Sequence, residues 1–208
     1  FQNEGGLFCE GDKIKGFGKE RDITPSDLVI DAQGAYVSPG FVDIHVHGGG
    51  GHDFMDGTEA AFRGVAAAHA EYGTTSLCPT TLTCTDEELF QSFEIYRKLK
   101  SEGTGGAKFA GLHLEGPYFN PSQAGAQDPS FLKKPIPEHY ERIFAASDDI
   151  IRWSVAPELD GSIEFGNVLR KRGIVGSIAH TDCIYERAVE AFENGYTHAT
   201  HLYSCMST

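Results

Sequence analysis

No run of apolar residues in this chain approaches the roughly 18 needed to cross a bilayer, which excludes a transmembrane helix. Basic residues are scarce: 17 Lys and Arg stand against 30 Asp and Glu, a formal net charge of −13. A nucleic-acid partner favours a basic face that displaces counterions, so that class is set aside. A small anionic ligand remains compatible, because metal ions and backbone N–H groups in a pocket override the global field. Cys9, Cys78, Cys84, Cys183 and Cys205 form no C-x-x-C pair. An odd, scattered set reads as reduced thiols, mostly buried small hydrophobes, in a cytoplasmic protein. The layout of a secretory signal is missing, although the chain starts at Phe1 with no methionine. There is no G-x-S-x-G elbow, no Gly-Lys-Ser/Thr after the glycine run Gly48–Gly51, and no evident base beside Cys183 or Cys205. Nucleophilic serine or cysteine chemistry and phosphate-loop chemistry therefore find no support.

What is present is an ordinary globular composition, 40% hydrophobic and 23% charged, and 208 residues suffice for one domain plus part of another. From residue 39 onward, strand-like and helix-like segments alternate. "FVDIHVH" is followed by a helical stretch from Thr58 to Tyr72, stopped at Gly73. "TTSLCPT" is a second strand, after which Thr85 and Glu88 form a capping box opening a helix through about Lys100. "AKFAGLHLEG" is a third strand and "IIRWSVAPEL" a fourth, with a short helix near Glu138 to Ala145 between them. A helix from Ser162 to Arg172 closes at Gly173, "IVGSIAH" is a fifth strand, a helix from Tyr185 to Asn194 closes at Gly195, and "HATHLYS" is a sixth strand.

Such alternation implies parallel pairing, in a doubly wound sheet or a barrel. Ligand-type residues recur at the C-terminal ends of strands one, three, five and six, and a ring converges them on one centre more readily than an open sheet. The expected fold class is α/β, an incomplete (β/α)8 TIM-like barrel of about six βα units over residues 39–208. Residues 1–38 are short, Gly-rich and polar; "GDKIKGFG" suggests a hairpin, and the segment reads as part of a small β-sandwich domain. The chain is thus expected to be a piece of a longer protein, truncated at both ends.

Five residues carry the chemistry. His45 and His47 lie two apart in a strand, so both imidazoles face one side, with Asp43 one step deeper. Glu115 ends the third strand, where its two oxygens can ligate or bridge metal ions. His180 ends the fifth strand and His201 sits near the end of the sixth. His113 shares the face of Glu115 and reads as a supporting or core residue. His198 falls on the opposite face, and His52, His69 and His139 read as structural or solvated. Each of these taken alone has a bland reading, but four histidines and a glutamate at successive strand ends favour a metal site. Such a site with an open position activates water and polarises a carbonyl, which suits hydrolysis of an amide, ester or phosphoester.

On "SPGFVDIHVHGGGG", "GLHLEGPYFNPSQAGAQDP", "AHTDC" and "THATHLYSCMST" the chain resembles the amidohydrolase superfamily and, within it, the N-acetylglucosamine-6-phosphate deacetylases. The first segment is shared across the superfamily; "HLEGPYFN" and "THATHLY" are the specific ones. The resemblance runs from about residue 31 to the C-terminus. It implies Glu115, His180 and His201 around a principal metal, and His45 and His47 joining Glu115 around a second. "IIRWSVAPEL" holds no lysine, unlike branches that bridge metals through a carbamylated one. Gln127 stands where the family often has a sugar-contacting histidine, and Ser204-Cys205 where it often has Asn-Ala; these three positions are expected at the substrate. The family's acid–base aspartate lies on the eighth strand, so it is expected beyond Thr208.

The implied activity is metal-dependent hydrolysis of the acetamide of N-acetylglucosamine 6-phosphate to glucosamine 6-phosphate and acetate. The alternatives are another amidohydrolase reaction, such as deamination or cyclic-amide hydrolysis, and a non-catalytic metal- or sugar-binding piece. One or two divalent ions are expected, zinc first, with iron, manganese or cobalt as alternatives. The expected partners are a small amino-sugar phosphate and a second copy of the full-length chain, with neither nucleic acid nor membrane.

Overall fold

The computed structural model describes residues 5–19 and 28–207; the remainder of the expected β-sandwich segment lies outside them. The chain divides into two compact units, Phe1–Pro39 and Gly40–Thr208. In the first, β1 (Gly6–Glu10) and β2 (Lys13–Gly18) form an antiparallel hairpin. Its turn is taken by Gly11 at φ 59°, a conformation glycine adopts without steric cost.

The second unit contains β3 (Phe41–Val46), β4 (Gly48–Gly49), β5 (His52–Asp53), α1 (Glu59–Glu71), β6 (Thr74–Thr81), α2 (Asp86–Glu102), β7 (Lys108–Phe109) and β8 (Leu112–Glu115). It continues with α3 (Pro137–Ala146), β9 (Ile150–Val155), α4 (Ser162–Lys171), β10 (Val175–Ile178), α5 (Tyr185–Glu193) and β11 (Tyr196–Ala199). The main sheet runs β11-β10-β9-β8-β6-β3, with β7 also on β6, and every pairing in it is parallel. In a flat sheet β11 and β3 would stand about 24 Å apart, five spacings of ~4.8 Å. Yet the rings of His45, on β3, and His201, just past β11, have centroids 5.7 Å apart. The sheet is therefore strongly curled, as an incomplete barrel requires.

Local chemistry sets the element boundaries. The Thr85–Glu88 capping box is present and opens α2; Gly103 closes it. Thr58 caps α1 by accepting from the Ala61 N–H, and α1 buries Ala61, Phe62, Val65 and Ala66 at helical spacing. Between sheet and helices sits an aromatic core: Trp153 of β9 stacks on Tyr118 at 5.5 Å and meets Phe165 of α4 edge-on at 5.1 Å. Such pairs add about 0.5–1.5 kcal/mol beyond their buried area. The glycine run becomes a two-residue hairpin, β4 pairing with β5 across Gly50 and Gly51 at φ 62° and 83°.

Three expectations are corrected. The third strand is broken: β7 pairs β6, the Ala110 N–H donates to Leu77, and at Gly111 the chain turns so that Leu112 donates to Asp149 beside β9. A Cβ at Gly111 would lie 2.5 Å from the Ile151 side chain, so the close approach needs glycine. The sixth strand is Tyr196–Ala199 rather than "HATHLYS". After the Thr200 N–H donates to Ile178, His201, Tyr203 and Cys205 all take positive φ (35°, 75° and 52°), and a turn replaces the strand. His180, at φ 46°, likewise lies past the end of β10 rather than in it.

Candidate metal centre

The curl of the sheet brings His45, His47, Glu115, His180 and His201 together in two overlapping groups: His45, His47 and Glu115; and Glu115, His180 and His201. Glu115 is shared and only 2% exposed. Its Oε1 lies 2.9 Å from His201 Nε2, 3.4 Å from His180 Nε2 and 3.8 Å from His45 Nε2. Its Oε2 lies 2.9 Å from His47 Nε2.

The opposite nitrogens explain what these Nε2 atoms are. His47 Nδ1 donates to the Thr80 carbonyl at 3.2 Å, His180 Nδ1 to the Gln123 carbonyl at 2.8 Å, and His201 Nδ1 to the Ser204 carbonyl at 3.1 Å. A carbonyl only accepts, so each Nδ1 carries its hydrogen, and in the neutral ring Nε2 is left as a bare lone pair. Lone pairs of His180 and His201 then face each other at 3.2 Å, and all three face a carboxylate. Apart from the Gln127 amide, which donates to Glu115 Oε2, this is a set of acceptors converging on one another, and it fits a cation. His45 Nδ1 is buried without a partner.

The same proximity shifts the basicity of these groups in opposite directions. Burial alone would raise the Glu115 carboxyl, but hydrogen bonds from His180, His201 and His47 outweigh it and hold Glu115 well below the usual carboxylate range. His47 loses basicity to burial but gains more from its hydrogen bond and charge pairing with Glu115, and ends raised. His201 is raised by its hydrogen bond to Glu115 against a smaller burial effect. His45 is pushed down to about 4 by burial, with Glu115 opposing and the other cations adding.

Gln127, expected at the sugar, is buried, and its amide lies between Thr83 and Glu115: Oε1 accepts from the Thr83 N–H at 2.8 Å and Nε2 donates to Glu115 Oε2 at 3.0 Å. Ser204 and Cys205 occupy the turn after His201, and the Cys205 carbonyl accepts from the Thr181 N–H. His198 joins neither donor group. His69 ties to the Gly48 carbonyl, and His139 sits between Tyr118 Oη and Asp86 as a buried strut.

Beneath the donors lies a polar network that sequence reasoning did not assemble. His113, fully buried, bonds Ser154 Oγ at 2.7 Å and Thr80 Oγ1 at 3.3 Å. Thr200 Oγ1, next to His201, meets Ser154, Ser177 and Arg152 at 2.7–2.8 Å. Arg152 also reaches the Ile44 carbonyl at 3.1 Å, so one guanidinium ties the residue before His45 to the residue before His201. The available signal was the R-x-S alternation of β9, which puts Arg152 and Ser154 on one face. Alongside His180, Glu158 accepts from Asn120, Thr181 and the Asp182 N–H and braces the loop.

Comparison with known proteins gives a consistent family. The model of the amidohydrolase family matches residues 36–208. The N-acetylglucosamine-6-phosphate deacetylases of Bacillus subtilis and human are 32% identical over 200 residues and 33% over 208, covering 94% and 97% of this chain and 50% of each relative. Among solved structures, the N-acetylglucosamine-6-phosphate deacetylase of Pasteurella multocida superposes with a TM-score of 0.89 at 29% identity, covering 98% of this chain and 53% of that one. A mutant of the Mycobacterium smegmatis enzyme in complex with N-acetyl-D-glucosamine-6-phosphate gives 0.86 at 30%, with 97% and 51% covered. The chain spans about half the length of the curated relatives it matches.

Proposed function

The chain belongs to the amidohydrolase family, and on that premise we propose that the full-length protein hydrolyses the acetamide of N-acetylglucosamine 6-phosphate to glucosamine 6-phosphate and acetate. The observation that carries this reading is the convergence of Nε2 lone pairs on the Glu115 carboxylate, each Nδ1 being held by a backbone carbonyl. The substrate follows from the similarity to the deacetylases.

The family implies a divalent metal. Glu115, His180 and His201 would hold the principal ion, and His45, His47 and Glu115 a second, with zinc the leading candidate over iron, manganese or cobalt. A divalent ion supplies Lewis-acid polarisation of an amide carbonyl and activation of water near neutral pH. The chain's own residues orient the donors: Thr80, Gln123 and Ser204 set the tautomers of His47, His180 and His201 through their carbonyls. His113 keeps Thr80 and Ser154 in place below. Burial of Glu115 and His180 excludes bulk water from the deep side of the site. The turn at Ser204 and Cys205 would border the sugar phosphate. The general acid–base group is assigned to an aspartate of the full-length protein outside this chain. The unit 1 hairpin would belong to a small β-sandwich. No helix among the described residues is long and apolar enough to cross a membrane, and we assign the enzyme to the cytoplasm as a homodimer.

In the full-length protein, Glu115→Ala or His180→Ala should lose the bound ion and acetate release together, with metal affinity falling by more than about 100-fold, the upper end seen for changes one shell further out. Metal analysis and acetate assay on the same preparations check this. Normal turnover in either variant after metal removal sinks the assignment.

A further inference from the structure

We propose that Gln127 is a positioning residue that fixes the Glu115 carboxylate and thereby governs the second metal position, the one formed by His45, His47 and Glu115. The proposal rests on the metal reading of the site.

The orientation of the amide is unambiguous. The Thr83 backbone N–H can only donate, so the oxygen of Gln127 must face it, at 2.8 Å, with the Thr83 hydroxyl adding a second donor at 2.9 Å. The nitrogen of Gln127 must then face the other way, where it meets Glu115 Oε2 at 3.0 Å. A carboxylate can only accept, so both ends of the amide agree. Gln127 is 4% exposed and Thr83 7% exposed, so this chain of bonds is shielded from water.

The two oxygens of Glu115 are not equivalent. Oε1 faces His180 and His201, with His45 further off at 3.8 Å; Oε2 faces His47 at 2.9 Å, and it is Oε2 alone that takes the Gln127 N–H. An sp² oxygen has two lone pairs, one for the amide and one for a cation shared with His47. Holding Oε2 in this way prevents the carboxylate from rotating wholly towards His180 and His201. Thr83 lies just past the end of β6, whereas Glu115 ends β8, so the clamp reaches from one strand end to the next. Because an amide does not titrate in the working range, the clamp is constant with pH.

The test is titration of the metal-free full-length protein with cobalt(II) alone, read by calorimetry and by the visible absorption of the bound ion. Wild type should take two ions in steps, and His47→Ala should lack one of them, which identifies the second position. In Gln127→Leu that same step should weaken by about 10- to 100-fold, as for other outer partners of metal ligands, while the other step changes less than about twofold. Thr83→Val keeps the backbone donor and removes only the hydroxyl, so the second step should weaken less. It carries the test if the leucine variant does not fold. Equal weakening of both steps, two unchanged steps, or a wild type that takes a single ion overturns the proposal and leaves the principal site standing. A wild type that takes no ion overturns the metal reading itself.

Discussion

At Glu115 and its histidines, the direction in which each ring nitrogen points marks the ligand it fits. His47 and His201 are raised by Glu115, while His45 is driven down to about 4 by burial. Protons compete with an entering ion more strongly at His47 and His201 than at the less basic His45. Low pH therefore stabilises the protonated, ion-free form, and raising the pH removes that competitor. Metal affinity should fall as pH drops through the raised values of His47 and His201 and level off above them. Calorimetry in buffers of different ionisation enthalpy should detect proton release, reduced in His47→Ala. Binding heats independent of the buffer would contradict this picture.

At the scale of elements, much was legible because the signals are local. The capping box at Thr85 and Glu88 and the stops at Gly73, Gly173 and Gly195 depend on neighbours within a few residues. The five donors were legible because strand ends in βα units share one rim. The sixth strand reads too long in the sequence because "HATHLYS" alternates like a strand, while the turn through His201, Tyr203 and Cys205 is imposed by tertiary contacts such as that of Thr181 with Cys205. The clamp at Gln127 was illegible for the same reason: its partner Thr83 is 44 residues away, and no periodicity links them. Element packing also yields a stability prediction. Gly195, at φ 109°, precedes β11, and a Cβ there would sit 2.1 Å from the Gly166 carbonyl of α4. Gly195→Ala should cost about 2–4 kcal/mol, from positive-φ strain plus overpacking, in urea unfolding monitored by Trp153 fluorescence. A wild-type midpoint would show that α4 and β11 do not approach so closely.

For the second unit as a whole, the decisive property is curvature. Six parallel strands would leave β3 and β11 at opposite edges of a flat sheet, and the two halves of the donor set would never meet. The curl, with Arg152 of β9 bonded to both the Ile44 carbonyl and Thr200, makes one site from strands that are remote in sheet order. An acidic chain, formally −13, can still serve an anionic substrate if the field that matters is the local one at this rim. A divalent ion is expected at this rim, where the lone pairs converge. Anomalous diffraction at the zinc edge, from crystals of zinc-loaded full-length protein, measures that directly. A strong peak is expected about 2.0–2.2 Å from Glu115, His180 and His201, lost in Glu115→Ala. Zinc bound elsewhere, with no peak among these three residues, would contradict it.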